Sequence, residues 1–275
     1  MSAWRRASSS MRYCVGVEAF FLIVATLFGL VFGSFLNVCI VRLPNEDPKA
    51  RSLIRPPSSC PKCHKLIAWY DNIPLVSWLV LRGKCRWCGN PISPQYIVIE
   101  GAVGLLWLIC ALLYGPTPRM IDGCVLGTIL LGIAIIDARH YIIPDELSYG
   151  GLVVGLALAL FGGATGLVDA LIGAAAGWAL LWVVRTVGSY VLKQEAMGWG
   201  DVKMLAMIGA FVGWRGVLLT VFLGALAGSV IFLPLQLMGK KRLVPFGVFL
   251  AVGGAVTFLF RDSMLSWYMQ FLHGA

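Results

Sequence analysis

Two pairs of cysteines form the clearest metal-binding pattern in this 275-residue chain. Cys60 and Cys63 form the first C-x-x-C pair, and Cys85 and Cys88 form the second pair after 21 intervening residues. Two such pairs can present four thiolates to one ion, which is the tetrahedral ligand set of structural zinc sites. We therefore expect a structural Zn²⁺ bound by all four cysteines.

Other chemistry is open to the same cysteines. They could form disulfides or stay free thiols, although stable disulfides are disfavoured on the reducing cytoplasmic side of a membrane. Cys60 to His64 also reads C-x-x-C-H, the attachment pattern of c-type haem, but the second pair and the lack of an evident axial ligand argue against haem. The other cysteines lie in or beside apolar runs, where we expect them to pack: positions 14, 39, 110 and 124.

Asp137 and Asp201 are the candidate catalytic residues. Asp137 closes one apolar run, and Asp201 opens another within the segment 197–204. Two carboxylates brought together share a proton, so one can act as a base toward water while the other protonates a peptide carbonyl oxygen. Gly198 and Gly200 would support this site by allowing a close backbone approach or a positive φ. The structural alternative is that both aspartates are helix-end residues, with Asp201 as an N-cap.

Other functional signatures are weaker. The chain has neither HExxH nor GxSxG, and it has only three histidines. A proton or cation relay through Asp137 and Asp201, as in a transporter, is the rival interpretation, but it predicts broken helices in two repeated halves, and the sequence has no such repeat. Four other acids lie near the ends of apolar runs, where exposure to the membrane interface accounts for them: Glu18, Glu100, Asp122 and Asp169.

Membrane-embedded helices must position these residues. The chain has 59% apolar and 13% charged residues, whereas soluble domains carry roughly 25% charged residues, so a soluble enzyme is excluded. Crossing ~30 Å of hydrocarbon takes about 20 apolar residues. We predict an all-α polytopic membrane protein with about eight transmembrane helices, in the apolar runs 17–41, 96–115, 120–137, 146–162, 166–185, 202–213, 215–237 and 243–260. The run 202–213 is short for a full crossing, so the alternatives are that it is tilted, that it crosses only in part, or that it is continuous with its neighbour. In the first run, Gly29 and Gly33 are spaced for close helix packing, and Asn37 could hydrogen-bond across helices.

The loop 42–95 is strongly basic and rich in proline. It holds nine Lys and Arg residues against three acids, and eight of the 13 prolines, which disfavours a long helix. A cytoplasmic loop places 16 basic residues inside, among them Lys240–Arg242, and six outside, as the positive-inside rule favours. Three arginines in the first twelve residues oppose this orientation. No nucleic-acid-binding motif accompanies the charge, so we expect no nucleic-acid partner.

From about Phe28 to Leu250 the chain resembles the bacterial type IV prepilin peptidases, which are bifunctional leader peptidases and N-methyltransferases of the inner membrane. The resemblance rests on G-S-F-L-N-V (33–38), R-L-P (42–44), the two cysteine pairs, L-R-G-K-C (81–85), P-D (144–145), G-W-G-D-V-K (198–203) and P-F-G (245–247). It places the GxGD protease motif on 198–201 and the first catalytic aspartate on Asp137. It also makes Lys203 a supporting residue. The chain departs from the family at two positions. The family usually has Leu where this chain has Met204, and it has the second proline of a P-F-G-P pattern where this chain has Val248.

The resemblance also implies substrates, cofactors and location. The substrates would be type IV prepilins and type II secretion pseudopilins, cleaved at the cytoplasmic membrane face after a glycine that ends a short basic leader. The new N-terminus, usually Phe, would then be methylated with S-adenosylmethionine, for which no binding residue is identified. Asp145 and Glu146 could attract a basic leader, or they could be solvated loop acids.

The expected organisation combines the hydropathy pattern with this resemblance. It consists of an N-terminal segment (1–16), a first transmembrane helix (17–41), a cytoplasmic zinc-binding loop (42–95), an aspartic protease core of about seven membrane helices (96–262) and a C-terminal tail (263–275).

Overall fold

The structure is a computed structural model that describes residues 2–55, 57–195, 197–237 and 245–273. These residues form helices and connecting turns, and they contain no strand beyond two isolated bridges, Ser59–Leu66 and Lys84–Pro91. The predicted all-α class is therefore confirmed. The chain divides into two compact units, Met1–Met120 and Ile121–Ala275.

Each unit is built mainly from long helices. The first contains α1 (Ser2–Arg42), α2 (Pro48–Arg51), a 3₁₀ turn (Trp69–Asn72), α3 (Val76–Val80) and α4 (Gln95–Tyr114). Helix α5 (Pro118–His140) begins just before the boundary, and the second unit continues with α6 (Asp145–Leu160), α7 (Leu167–Leu192), α8 (Trp199–Leu237) and α9 (Phe246–His273).

Five of the described helical segments are long and apolar enough to cross a membrane: Val17–Arg42, Gln95–Tyr114, Pro118–His140, Leu167–Leu192 and Trp199–Phe232. Helix α6 has only 16 residues, and Phe246–Arg261 of α9 is a shorter apolar stretch. The chain is accordingly a multi-pass membrane protein. The sequence predicts about eight transmembrane helices, and five of the described segments are long and apolar enough to be such helices. Lys240–Arg242 and the start of the run 243–260 lie outside the described residues.

In the first unit, α1 and α4 pack closely because small residues let their backbones approach. A Cβ on Gly33 would lie 2.8 Å from the Cα atom of Glu100, and Gly29 is equally crowded one turn earlier. Asn37 donates a hydrogen bond from Nδ2 to the carbonyl of Tyr96 in α4, at 3.2 Å. The packing face and the cross-helix hydrogen bond expected from the sequence are therefore both confirmed.

In the second unit, α8 is the central helix and packs against α6, α7 and α9. Nearly every side chain between 202 and 212 is buried. A Cβ on Gly177 of α7 would meet the carbonyl oxygen of Leu205 at 2.5 Å, and one on Gly253 of α9 would meet that of Thr220 at 2.5 Å. These close approaches place α7 against the first half of α8 and α9 against the second half.

Helix α8 is broken at Gly213, which has φ 69° and ψ 174°. Glycine adopts this region without the steric cost that a Cβ would bring. A Cβ there would also lie 2.5 Å from Oδ2 of Asp169. Arg261 of α9 donates to the carbonyl of Val212 at 2.6 Å and so satisfies an acceptor beside the break. The predicted runs 202–213 and 215–237 are thus two helical halves joined at one glycine.

Candidate functional site

Asp137 lies near the end of α5 and is only 5% exposed. Its carboxylate meets the start of α9, where the backbone N–H of Val248 donates to Oδ2 at 3.1 Å. The N–H of Gly247 is a second donor to the same carboxylate. The N–H groups in the first turn of a helix have no intrahelical partner, so the start of α9 is suited to holding an anionic oxygen.

Asp201 is the third residue of α8 and is 9% exposed. It is therefore inside the first turn and is not the N-cap. The N–H groups of Gly198 and of Asp201 itself donate to its carboxylate. The carboxylates of Asp137 and Asp201 interact electrostatically, although the residues are 64 positions apart in the chain. A shared proton would give this pair one acid and one base side by side.

Ile143 packs where the two aspartate-bearing segments meet. A Cβ on Gly200 would lie 2.8 Å from the Cβ of Ile143, and one on Gly247 would lie 2.8 Å from its Cδ1 atom. Neither Gly198 nor Gly200 has a positive φ. Of the two reasons considered for these glycines, close approach is therefore the one that applies at Gly200. A Cβ on Gly198 would make only an ordinary contact, 3.5 Å from Oδ2 of Asp201.

Lys203 binds a third aspartate instead of the buried pair. Its Nζ atom donates to both carboxylate oxygens of Asp145, at 2.8 and 2.9 Å, and lies 5.2 Å from the ring centre of Tyr149. Asp145 is the first residue of α6. The ion pair therefore joins the start of α6 to the first turns of α8.

Arg185 of α7 anchors the connection that leads to Asp201. Its Nε atom donates to the carbonyl of Met197 at 3.0 Å, and its guanidinium pairs with Glu195 at 3.2 Å. The same guanidinium lies 4.4 Å from the ring centre of Trp199. Three contacts thus hold the segment immediately before the aspartate.

In the first unit, the four cysteines of the two C-x-x-C pairs converge. Their Sγ atoms all lie within 4.8 Å of one another, and those of Cys60 and Cys88 are 3.7 Å apart. A tetrahedral ion with Zn–S bonds of about 2.3 Å has S–S edges of about 3.8 Å, so the cluster fits that geometry. None of the cysteines that the structure describes forms a disulfide. The cluster can hold a metal ion, as the spacing predicted.

The two cysteine pairs share one backbone conformation. In each, the N–H four residues after the first cysteine donates to that cysteine's carbonyl, from His64 to Cys60 at 2.9 Å and from Gly89 to Cys85 at 3.0 Å. His64 has φ 56° and Gly89 has φ 67°. His64 is therefore the left-handed turn residue of the first pair, which accounts for its place in the C-x-x-C-H pattern without haem.

Hydrogen bonds and burial shift the pKa values of the thiols in different directions. The backbone N–H groups of Cys63 and Lys62 lower the pKa of Cys60 to about 6. At Cys88 the N–H of Asn90 lowers the pKa, but burial and the neighbouring thiols outweigh it and raise that pKa to about 11. Four thiols this close cannot all ionise unless a cation lies between them. The electrostatics of the cluster therefore favour a bound metal ion.

Further contacts fix the loop around the cysteines. Arg86 donates from Nε to Oδ2 of Asp71 at 2.7 Å, and this hydrogen bond holds the pKa of Asp71 below its usual value. Glu100 of α4 accepts the backbone N–H of Leu75 through Oε2 at 2.8 Å. These hydrogen bonds join two parts of the loop to each other and join the loop to α4.

Of the acids that the sequence analysis expected to be exposed at the membrane interface, Glu100 and Asp122 are instead buried, so that expectation is wrong for these two. Asp122 accepts the backbone N–H of Ala164. Asp169 lies against Gly213 at the break in α8. The expected packing cysteines Cys39, Cys110 and Cys124 are buried, and the side chain of Cys14 lies outside the described residues.

Sequence reasoning missed Val248, Ile143 and Arg185 as parts of the aspartate site. Val248 contributes its backbone N–H, which leaves no trace in the side-chain type. Ile143 looks like any apolar residue beside a helix end. The P-F-G motif at 245–247 was the one signal that pointed to the start of α9.

Two family models match the chain. The Bacterial Peptidase A24 N-terminal domain matches residues 27–114, and the Type IV leader peptidase family matches residues 124–233. The first match contains the cysteine cluster and the second contains both buried aspartates.

Curated relatives are similar over most of the chain, and each is named prepilin leader peptidase/N-methyltransferase. The protein of Aeromonas salmonicida (strain A449) is 34% identical over 93% of this chain and 96% of its own length. That of Pseudomonas aeruginosa is 37% identical over 91% of this chain and 94% of its own length. That of Myxococcus xanthus is 40% identical over 82% of this chain and 66% of its own length. No solved structure matches the chain.

Proposed function

The chain belongs to the type IV leader peptidase family, and on this premise we propose that Asp137 and Asp201 are its catalytic pair. The chain cleaves the leader peptides of prepilins and methylates the N-termini that cleavage exposes, the two activities in its relatives' names. The observation that carries the assignment is the pair of buried, interacting carboxylates, each held by two backbone N–H groups.

Cleavage uses the two carboxylates as base and acid. The ionised aspartate accepts a proton from water while the water oxygen attacks the carbonyl carbon of the scissile peptide bond. The protonated aspartate donates its proton to the carbonyl oxygen. When the tetrahedral intermediate collapses, the C–N bond breaks and the amine leaves with a proton returned by the pair. Burial keeps both groups out of bulk water, where their electrostatic effect on the reaction would be weaker.

The proposed substrates are type IV prepilins and type II secretion pseudopilins, cut after a glycine at the cytoplasmic face of the bacterial inner membrane. Asp137 lies near the end of α5 and Asp201 at the start of α8, so both are close to helix ends. A leader that ends where the substrate's own apolar helix begins would reach such a site. S-adenosylmethionine is the proposed methyl donor, and it would supply an electrophilic methyl group to the new N-terminal amine.

For the cysteine cluster we propose structural Zn²⁺. Four thiolates fill a tetrahedral shell and leave no open position for substrate, which is typical of structural sites. The surrounding loop has few buried apolar residues, among them Leu43 and Cys60. Metal binding would therefore contribute directly to its folding.

Gly200, Gly198 and Lys203 are proposed to support the catalytic pair. Gly200 allows contact with Ile143, and Lys203 fixes α6 against α8 through Asp145. We further propose that the cysteine-rich loop is cytoplasmic. An eight-span arrangement would count α6, α9 and the two halves of α8 separately.

The decisive experiment incubates the purified full-length protein with a prepilin and measures the product by mass spectrometry. We expect loss of the leader and a further gain of one methyl group when S-adenosylmethionine is added. A transporter would leave the prepilin intact and would instead move protons or cations across proteoliposomes, which Asp137→Asn would stop. Intact prepilin with wild-type protein would refute the proposed function.

A further inference from the structure

One hydrogen bond connects Asp137, near the end of α5, to the start of α9, which lies far from it in the chain. The backbone N–H of Val248 donates to Oδ2 of Asp137 at 3.1 Å, across 111 positions of sequence. Val248 is the third residue of α9, and its N–H also donates to the carbonyl of Pro245 at 3.2 Å, so one donor serves two acceptors. The carboxylate is therefore held by the first turn of a helix other than its own.

The local packing is shaped around this contact. A Cβ on Gly247 would lie 2.8 Å from Oδ2 of Asp137, so a side chain at 247 would compete with the carboxylate for its place. Ile143 closes the other side, because its Cδ1 atom lies 2.8 Å from the same Cβ position. With Asp137 only 5% exposed, solvent offers little replacement for a lost protein donor.

We propose that the backbone N–H of Val248 is a positioning group for the peptidase reaction, because it fixes the carboxylate of Asp137 toward Asp201. This inference rests on the proposed function. Proline at 248 could not make the bond, since it has no backbone N–H. Position 248 is also where this chain departs from the P-F-G-P pattern, so the donor belongs to this chain's own version of the site.

The test removes the N–H while keeping the rest of residue 248. Val248→Ala retains the donor and serves as the matched control. Val248→Pro removes it, and proline is tolerated in the first turn of a helix, but it also restricts the residue before it. A third variant therefore replaces Val248 with its α-hydroxy acid by nonsense suppression, so that an ester oxygen stands in place of the N–H. Each full-length protein is assayed for prepilin cleavage and, separately, for methylation of a synthetic mature pilin N-terminus.

We expect the ester variant to cleave with kcat lower by about tenfold and KM within about twofold of the wild-type value, because the lost bond positions a catalytic group without binding substrate. Methylation should be unchanged, and Val248→Ala should keep more cleavage activity than the ester variant, because it retains the N–H that donates to Asp137. Wild-type kcat in the ester variant would overturn the inference, whatever Val248→Pro does. Equal losses of cleavage and methylation in the ester variant would also overturn it, because they would indicate a structural role. Failure of the proposed function is distinguishable, since the wild-type protein would then not cleave prepilin at all.

Discussion

Lys203 donates to both carboxylate oxygens of Asp145, and this ion pair ties α8 to the start of α6 only two residues after Asp201. The side chains are 22% and 52% exposed, so water screens the pair and its contribution to stability is modest. The main effect of the ion pair is to position α8 relative to α6. A bidentate contact so near Asp201, which we propose as a catalytic residue, fixes where the first turn of α8 lies.

Asp137→Ala and Asp201→Ala should each abolish leader cleavage, because one carboxylate cannot serve as both base and acid. Product is measured by mass spectrometry with prepilin in excess. Asp122→Asn is a suitable control, since Asp122 is a buried acid of the same unit that the proposed reaction does not use. Cleavage by either alanine variant above the background would remove that residue from the catalytic pair.

Lys203→Met and Asp145→Ala should each leave much of the cleavage activity, with a loss of less than about tenfold. The ion pair positions α8 and does not itself move protons, and exposed pairs contribute roughly 0–1 kcal/mol. The double variant should lose little more than either single variant, because both remove the same interaction. If Asp145 proved essential while Asp137 was dispensable, the catalytic assignment would be wrong.

Gly200→Ala should destabilise the site by about 1–3 kcal/mol, because the added Cβ would lie 2.8 Å from the Cβ of Ile143. Thermal unfolding and cleavage rate are measured together. Gly150→Ala in α6 is the matched control, since nothing lies within 4 Å of that position. Ile143→Ala keeps the clashing atom and should not rescue Gly200→Ala, whereas Ile143→Gly should. If Ile143→Ala rescued Gly200→Ala as well as Ile143→Gly does, the clash would not involve the Cβ of Ile143.

Replacing Cys60 and Cys63 together with serine should remove bound zinc, and methylation should suffer more than cleavage. Two of four ligands are lost, while the aspartates need no contribution from the cluster. Metal analysis and mass spectrometry of the processed pilin are run side by side, with Cys124→Ala as a control outside the cluster. Retained zinc would refute the site, and normal methylation without zinc would refute its link to methyl transfer.

Reporter fusions after Arg55 and after Lys241 should report the cytoplasm, and one after Thr117 should report the outside. The expectation follows from the basic loop 42–95 and the positive-inside rule. An outside signal from the Arg55 fusion would invert the orientation. It would also remove the reducing environment that favours zinc over disulfides in that loop.

The sequence alone determined the class of the protein and singled out the residues that we propose to carry its chemistry. Helix class follows from hydropathy because most of the apolar runs are about 20 residues long, the length at which a spanning segment satisfies its backbone polar groups within one helix. The spacing of Cys60, Cys63, Cys85 and Cys88 predicted their convergence, since the ligand geometry is built from two local turns. Gly29 and Gly33 predicted a close helix contact for a similarly local reason, because their spacing places both on one helix face.

Tertiary structure decided what lies around the two aspartates. Asp137 and Asp201 reach one site only through the packing of helices far apart in the chain, and no local pattern encodes that meeting. The donors at Gly247 and Val248 are backbone groups, which every residue except proline possesses, so no side-chain type marks them. The contacts of Arg185 were likewise hidden, because they depend on what a neighbouring segment places beside α7, whereas the break at Gly213 falls where the sequence already separated the runs 202–213 and 215–237.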